Sequence, residues 1–215
     1  MFFSISGILD YLVNLVIVII RDLNYPGIFL LMFLEGTLLP IPSEVVMTFS
    51  GYLALTNQLP TFLHIPAYIL VLVAGTIGNA AGASLAYAIG FYGGREVILK
   101  YGKYVKLNVS TLDRTEHWFK KYGPISVFVT RMIPIFRTFI SIPAGLAEMN
   151  FKKFLLLTIA GSLIWDILLV YLGFVFGSHW RSILGIFDAY TYITIPAIIL
   201  VVVYVYLKLR SKPKQ

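Results

Sequence analysis

Apolar residues run along this chain in long blocks, and polar residues fall chiefly where a block ends or breaks. A helix needs about 20 apolar residues to cross the hydrocarbon core of a bilayer. Ala67–Tyr92 and Phe154–Phe176 meet that length as full spans. Tyr190–Leu207 is slightly short, and Ile8–Ile20 is shorter still, with Asp10 in its first turns. Two other blocks are interrupted: Gly27–Leu55 by Pro40-Ile41-Pro42, and Pro124–Ala147 by Pro134 and Pro143. Proline lacks an amide donor and its ring clashes with the preceding turn, so helix breaks are expected at Pro40, Pro42 and Pro134.

Composition agrees with a membrane environment. Of the 215 residues 59% are hydrophobic and 13% charged, with a mean hydropathy of +0.85, whereas soluble domains carry roughly 25% charged residues. No stretch is left over for a second unit, so residues 1–215 are expected to form a single all-α integral membrane domain. The first twenty residues hold no Lys or Arg, so they lack the basic start of a cleaved signal and are expected to be retained. The absence of cysteine excludes disulfides and thiolate chemistry.

The net charge of +7 is distributed by membrane side, which argues against nucleic-acid binding. Basic residues cluster from Arg95 to Lys121, at Lys152-Lys153, and from Lys208 to Lys214. The positive-inside rule places all three clusters, and the C-terminus, in the cytoplasm of a multi-pass cell-membrane protein. Thr56–Pro66 has no basic residue and Ser178–Thr191 only Arg181, so both read as external. Pro124–Ala147 then has cytoplasmic flanks on both sides, as a re-entrant hairpin would. Counting spans back from the tail makes the first broken block a hairpin entering from the outer face. The expected fold has about four transmembrane helices plus two opposed re-entrant helical hairpins.

Internal similarity supports an inverted repeat. Pro40-Ile41 is followed eleven residues after the proline by Gly51 and then by Leu53-Ala54, and Pro134-Ile135 likewise eleven residues on by Gly145 and then by Leu146-Ala147. Matched helix breaks in two halves are a pointer to a transporter's binding site. Two ordinary proline-kinked helices are the alternative.

Four charges lie in the broken blocks: Glu35 and Glu44 in the first, Arg131 and Arg137 in the second. One ionised side chain at the bilayer centre costs on the order of 3 kcal/mol on insertion scales, so these groups must pair, line a wet cavity or bind a ligand. Backbone groups freed by the breaks are tolerated only inside protein or beside a cavity. Hairpins meeting tip to tip satisfy both demands, with an acidic pair facing a basic pair. A salt-bridge cluster that merely fixes the docking of the hairpins is the bland alternative. Ser43, Asn79 and Asp166 are candidates to line the same cavity, although interhelical hydrogen bonds account for Asn79 and Asp166 equally well.

These motifs resemble the DedA family, also called SNARE-associated or VTT-domain proteins. The resemblance rests on Phe33-Leu34-Glu35-Gly36 with Pro40-Ile41-Pro42-Ser43-Glu44, and on Gly90-Phe91-Tyr92-Gly93-Gly94-Arg95. It continues in Phe128 to Arg137, then Ala144-Gly145 and Met149, and in Gly161-Ser162-Leu163-Ile164-Trp165. It covers about Tyr25 to Gly177. Thr158 and Ala160 stand where the family often has Asn, and Asp166 lies outside the pattern. The resemblance implies opposed re-entrant hairpins and translocation of polyprenyl phosphates or phospholipids, with proton or sodium coupling in some members. It carries substrate binding to Arg131 and Arg137, and coupling to Glu35 and Glu44. Planar guanidinium forks suit phosphate oxygens, and protonating the carboxylates would free them.

Ala74, Gly78, Gly82, Ala86, Gly90 and Gly94 recur every four residues and predict a ridge against which another backbone packs closely. Trp165 is expected to pack among helices. Ser110–Tyr122 reads as an amphipathic surface helix with Arg114, Lys120 and Lys121 facing anionic head groups, or as a basic loop. An enzyme is not expected. His64, His117 and His179 all lie outside the broken blocks, and there is no nucleophile elbow, phosphate loop or paired metal-ligand motif. No catalytic residue, metal or cofactor is assigned. A scaffold that organises lipids without moving them, and a small-ion or proton-coupled transporter, stay open beside the translocase.

Overall fold

A computed structural model describes residues 5–39, 41–102, 122–133 and 136–179. The Tyr190–Leu207 span, the surface helix before Tyr122, the basic C-terminal cluster, Pro40 and Pro134 lie outside the described residues. All regular structure among those described is helical, apart from an isolated bridge between Phe62 and Ile65.

Helix α1 is Ile5–Leu23, longer at both ends than its apolar block. It turns at Asn24, whose φ is 52°, into α2, Tyr25–Gly36. Pro26 lies in the first turn of α2, where a missing N–H costs nothing. The first broken block separates into α2 and a second helix. After Gly36, Thr37 Oγ1 donates to the Leu34 carbonyl oxygen at 2.7 Å, and Leu38 adopts a φ of 78°. Pro42 then occupies the N-cap position of α3, Ser43–Leu55.

The two long helices are α4, Ala67–Gly102, and α8, Phe151–Phe176. Ala67–Gly93 and Phe151–Phe176 are long and apolar enough to cross a membrane. The side chain of Asn150 caps α8 by accepting from Lys153 N at 3.2 Å. Along α8, Leu156, Ile167, Tyr171 and Val175 are exposed, and along α4 Ile77, Leu85 and Ile89 are exposed. Apolar faces of that extent are unfavourable against water and ordinary against lipid.

The second broken block divides into three short pieces: α5, Ile125–Arg131, α6, Phe136–Phe139, and α7, Ser141–Leu146. Pro143 accounts for the second interruption, because it has no N–H to bond the Phe139 carbonyl oxygen four residues back. It lies in the first turn of α7, and the interruption falls at Ile140, whose carbonyl oxygen accepts from Ala144 N at 3.0 Å.

Glycines set how closely these pieces meet. Where α2 crosses α4, a Cβ on Gly36 would stand 2.6 Å from the Asn79 carbonyl oxygen, and one on Gly78 or Gly82 would strike the Phe29 or Phe33 carbonyl oxygen. The small-residue ridge therefore receives α2 along Gly78 and Gly82, and α7 at Gly90. Two further crossings are reciprocal. Gly51 of α3 lies against the Val170 carbonyl of α8 while Gly173 of α8 lies against the Thr48 carbonyl of α3. Likewise Gly145 of α7 lies against the Tyr87 carbonyl of α4 while Gly90 of α4 lies against the Ile142 carbonyl of α7.

Apolar packing gathers into two clusters. One joins α1, α2, α3, the start of α4 and the end of α8 around Ile20, Met32, Phe49 and Leu169. The other surrounds Tyr87, Val127, Ala144 and Phe154.

Candidate functional site

The tips of both broken blocks and the facing sides of α4 and α8 contribute buried polar groups to one network. Glu35, near the end of α2, is 3% exposed, and Arg137 in α6 is 5% exposed. Arg137 Nη2 donates to Glu35 Oε1 at 2.8 Å and also to Ser43 Oγ, at the first residue of α3. The other Glu35 oxygen, Oε2, accepts from Asn79 Nδ2 of α4.

Arg131 ends α5 and is 1% exposed. Its Nη1 donates to Asn79 Oδ1 at 3.0 Å and its Nη2 to Ser141 Oγ of α7 at 2.8 Å. Asn79 Oδ1 also accepts from Ser162 Oγ of α8 at 2.9 Å. Asn79 thus joins the arginine of one block to the glutamate of the other, using both donor and acceptor of its amide. Gly161 leaves room for this approach, because a Cβ there would stand 2.6 Å from Arg131 Cβ.

This differs from an acidic pair facing a basic pair. The direct ion pair in the network is Glu35–Arg137, while Arg131 meets its nearest carboxylate through Asn79. Glu44 is half-buried in the first turn of α3, where a carboxylate is favoured by the positive end of the helix dipole. Ser43 and Asn79 are in direct contact with the charges. Asp166 is buried one step away, with Oδ2 accepting from Thr76 Oγ1 at 2.9 Å.

Trp165 does more than pack among helices. The Arg137 guanidinium lies over its ring at 5.7 Å from the centroid, a cation–π contact that holds the fork in place. The sequence patterns do not mark Ser141 or Thr76, and they mark Ser162 only within the Gly161–Trp165 motif. A signal was present: Thr158, Ser162 and Asp166 recur every four residues on α8, a polar line along an otherwise apolar helix, and Thr76 and Asn79 share a face of α4. Polar groups in such a line face the protein interior in a membrane helix.

Several donors and acceptors in this region are unused. Arg131 Nε, Trp165 Nε1, Thr158 Oγ1 and Asp166 Oδ1 are buried without a hydrogen-bond partner among the described residues. Chemically, the arrangement is a buried set of guanidinium donors held by displaceable neutral and acidic acceptors. It can exchange those acceptors for the oxygens of an oxyanion. Among the described residues there is no group of three or more His, Asp or Glu placed to hold a metal.

Comparison with known proteins adds the lineage. The family profile of the VTT domain matches residues 41–175. The undecaprenyl phosphate transporter A of Bacillus subtilis (strain 168) is 38% identical over 208 residues, 96% of each chain. An alkaline phosphatase-like protein of Lactococcus lactis subsp. lactis (strain IL1403) is 35% identical over 94% of each chain. Protein DedA of Escherichia coli (strain K12) is 29% identical over 72% of this chain and 69% of its own. No solved structure matches. With the signature charges gathered between two broken segments and the domain matched across them, the chain belongs to the VTT-domain, or DedA, family of membrane proteins.

Proposed function

We propose that this protein translocates anionic lipids, of the polyprenyl phosphate or phospholipid class, across the cell membrane. Arg131 and Arg137 bind the lipid phosphate, and Glu35 occupies Arg137 when the site is empty. Glu44, beside the same arginine, adds to the acidic field that the phosphate must displace.

The observation that carries this reading is the buried Glu35–Arg137 pair, which joins the two broken segments and extends through Asn79 to Arg131. A buried ion pair is poor value as a structural device, since desolvation offsets most of its attraction. A site that must hold a passing phosphate needs such groups, and needs them neutralised between cargoes. The relative named an undecaprenyl phosphate transporter, aligned over 96% of each chain, supports the substrate class.

The architecture we propose for this activity is a single domain with about four transmembrane helices, two opposed re-entrant hairpins and a cytoplasmic C-terminus. The reciprocal glycine crossings favour an inverted repeat. One constant offset relates Thr48 and Gly51 to Ile142 and Gly145, and another relates Tyr87 and Gly90 to Val170 and Gly173. The second offset also relates Gly78-Asn79 to Gly161-Ser162, and Ser162 is bonded to Asn79. In an inverted repeat the binding groups lie near the bilayer midplane, reachable by gating from either side.

The experiment is translocation of a labelled polyprenyl phosphate in liposomes holding the purified protein. Lipid should reach the opposite leaflet chemically unchanged. Arg131→Lys keeps the charge and loses the fork, which is worth about 1.5–3 kcal/mol for a charge-assisted hydrogen bond. Transport should therefore fall on the order of ten- to hundredfold. Release of free phosphate would favour a hydrolase, in line with the phosphatase-like name of the Lactococcus relative. Lipid that neither moves nor reacts would favour a scaffold. Unchanged transport by Arg131→Lys would remove that arginine from the phosphate site.

A further inference from the structure

Asp166 is a buried carboxyl that the phosphate site does not use. It lies on α8 and is 1% exposed. Its Oδ2 accepts from Thr76 Oγ1 of α4 at 2.9 Å, and its Oδ1 has no partner among the described residues. The neighbouring wall is apolar: a Cβ on Gly75 would meet the Met47 thioether of α3 at 2.6 Å and Asp166 Oδ2 at 3.6 Å. The charged groups on the elements around it are Arg137 of α6, Glu35 of α2 and Glu44 of α3. Arg137 is committed to Glu35, so no cation is in contact with Asp166 among the described residues.

An ionised carboxylate removed from water needs a counter-charge or a full set of donors, and here a single hydroxyl is supplied. A proton on Oδ1 removes the charge and leaves only a neutral O–H without an acceptor, a far smaller cost. A divalent cation fits poorly, because Ca2+ and Mg2+ take six or more oxygen ligands. Thr76 and Asp166 offer three side-chain oxygens, and the carbonyls of the two helices are engaged in their own hydrogen bonds.

We propose that Asp166 and Thr76 form a proton-binding site at the α4–α8 contact, distinct from the arginines that hold the lipid phosphate. Each partner stands on one of the two long helices. Parting those helices breaks the Thr76 bond and admits water to Oδ1. The carboxyl then gives its proton to water and is left as a carboxylate; re-closure requires the proton back. The link from this proton to lipid movement rests on the transport reading above, whereas the proton site itself rests on the geometry alone.

Infrared difference spectra of the purified protein in liposomes, recorded across a pH titration, separate the two. A carboxylic acid C=O band should be present in the wild type, lost in Asp166→Asn and displaced in Thr76→Val. Thr76→Val keeps the carboxyl and guards against a folding failure of Asp166→Asn. In the same liposomes, Asp166→Asn should lose the response of lipid transport to an imposed pH gradient while still binding polyprenyl phosphate. If the wild-type carboxyl bands persist unaltered in both variants, the proton site is overturned, whether or not lipid moves. If the band is lost yet the gradient response remains, the link to transport is overturned and the site stands. If the wild type moves no lipid, the transport reading fails, and the band alone decides the proton site.

Discussion

At the scale of single residues, the network owes its form to the different hydrogen-bonding capacities of its members. Arg137 divides its donors between a carboxylate, a hydroxyl and an aromatic face, while Arg131 is held, among the described residues, by neutral groups. Removing one member of a buried pair strands the other. Glu35→Ala should destabilise the fold by about 3–5 kcal/mol, because Arg137 keeps its charge and loses its partner. The double variant Glu35→Ala/Arg137→Ala should lose much less than the sum of the two single changes. Reversible unfolding in mild detergent, read by circular dichroism, checks this cycle; strictly additive losses would mean the two side chains are not coupled. The charges were legible in the sequence because an ionisable group in an apolar block has few innocent explanations. Asn79 was legible only as a candidate, Ser162 only as a member of a motif and a polar line, and Ser141 not at all, since a serine in a membrane helix can bond its own backbone, as Ser84 does to the Ala80 carbonyl at 2.7 Å.

At the scale of elements, glycine spacing determines which helices meet. Gly145 of α7 lies so near the Tyr87 carbonyl that Gly145→Ala forces the crossing apart, an overpacking cost of about 1–3 kcal/mol. Gly123 is the control. Its φ of 59° favours glycine, but nothing lies within 4 Å of the position, so Gly123→Ala should cost only the roughly 1–2 kcal/mol of a left-handed alanine and leave the helix contacts intact. Thermal melting of both variants, with a cysteine cross-link between α4 and α7 as a distance monitor, distinguishes the two effects. A normal cross-link in Gly145→Ala would contradict the close crossing. The packing of the small-residue ridge was readable from glycine positions alone. Element lengths were less readable: α1 extends beyond its apolar block at both ends, and α4 continues through Gly93-Gly94 to Gly102, because helix does not stop where hydrophobicity does.

At the scale of the whole molecule, two apolar clusters flank a polar centre, and the exposed faces of α4 and α8 suit lipid. Such a centre serves a carrier only if a head group can reach it from each side. Ser43 reports on that directly, since its side chain is fully buried beside Arg137. The chain contains no cysteine, so Ser43→Cys places one thiol in the whole protein. Membrane-impermeant thiol reagents applied to one face of the liposome at a time, with and without polyprenyl phosphate, measure access to the site. The account predicts labelling from each face and protection by the lipid phosphate from both. Labelling from one face only, or labelling that the lipid leaves unchanged, would contradict it.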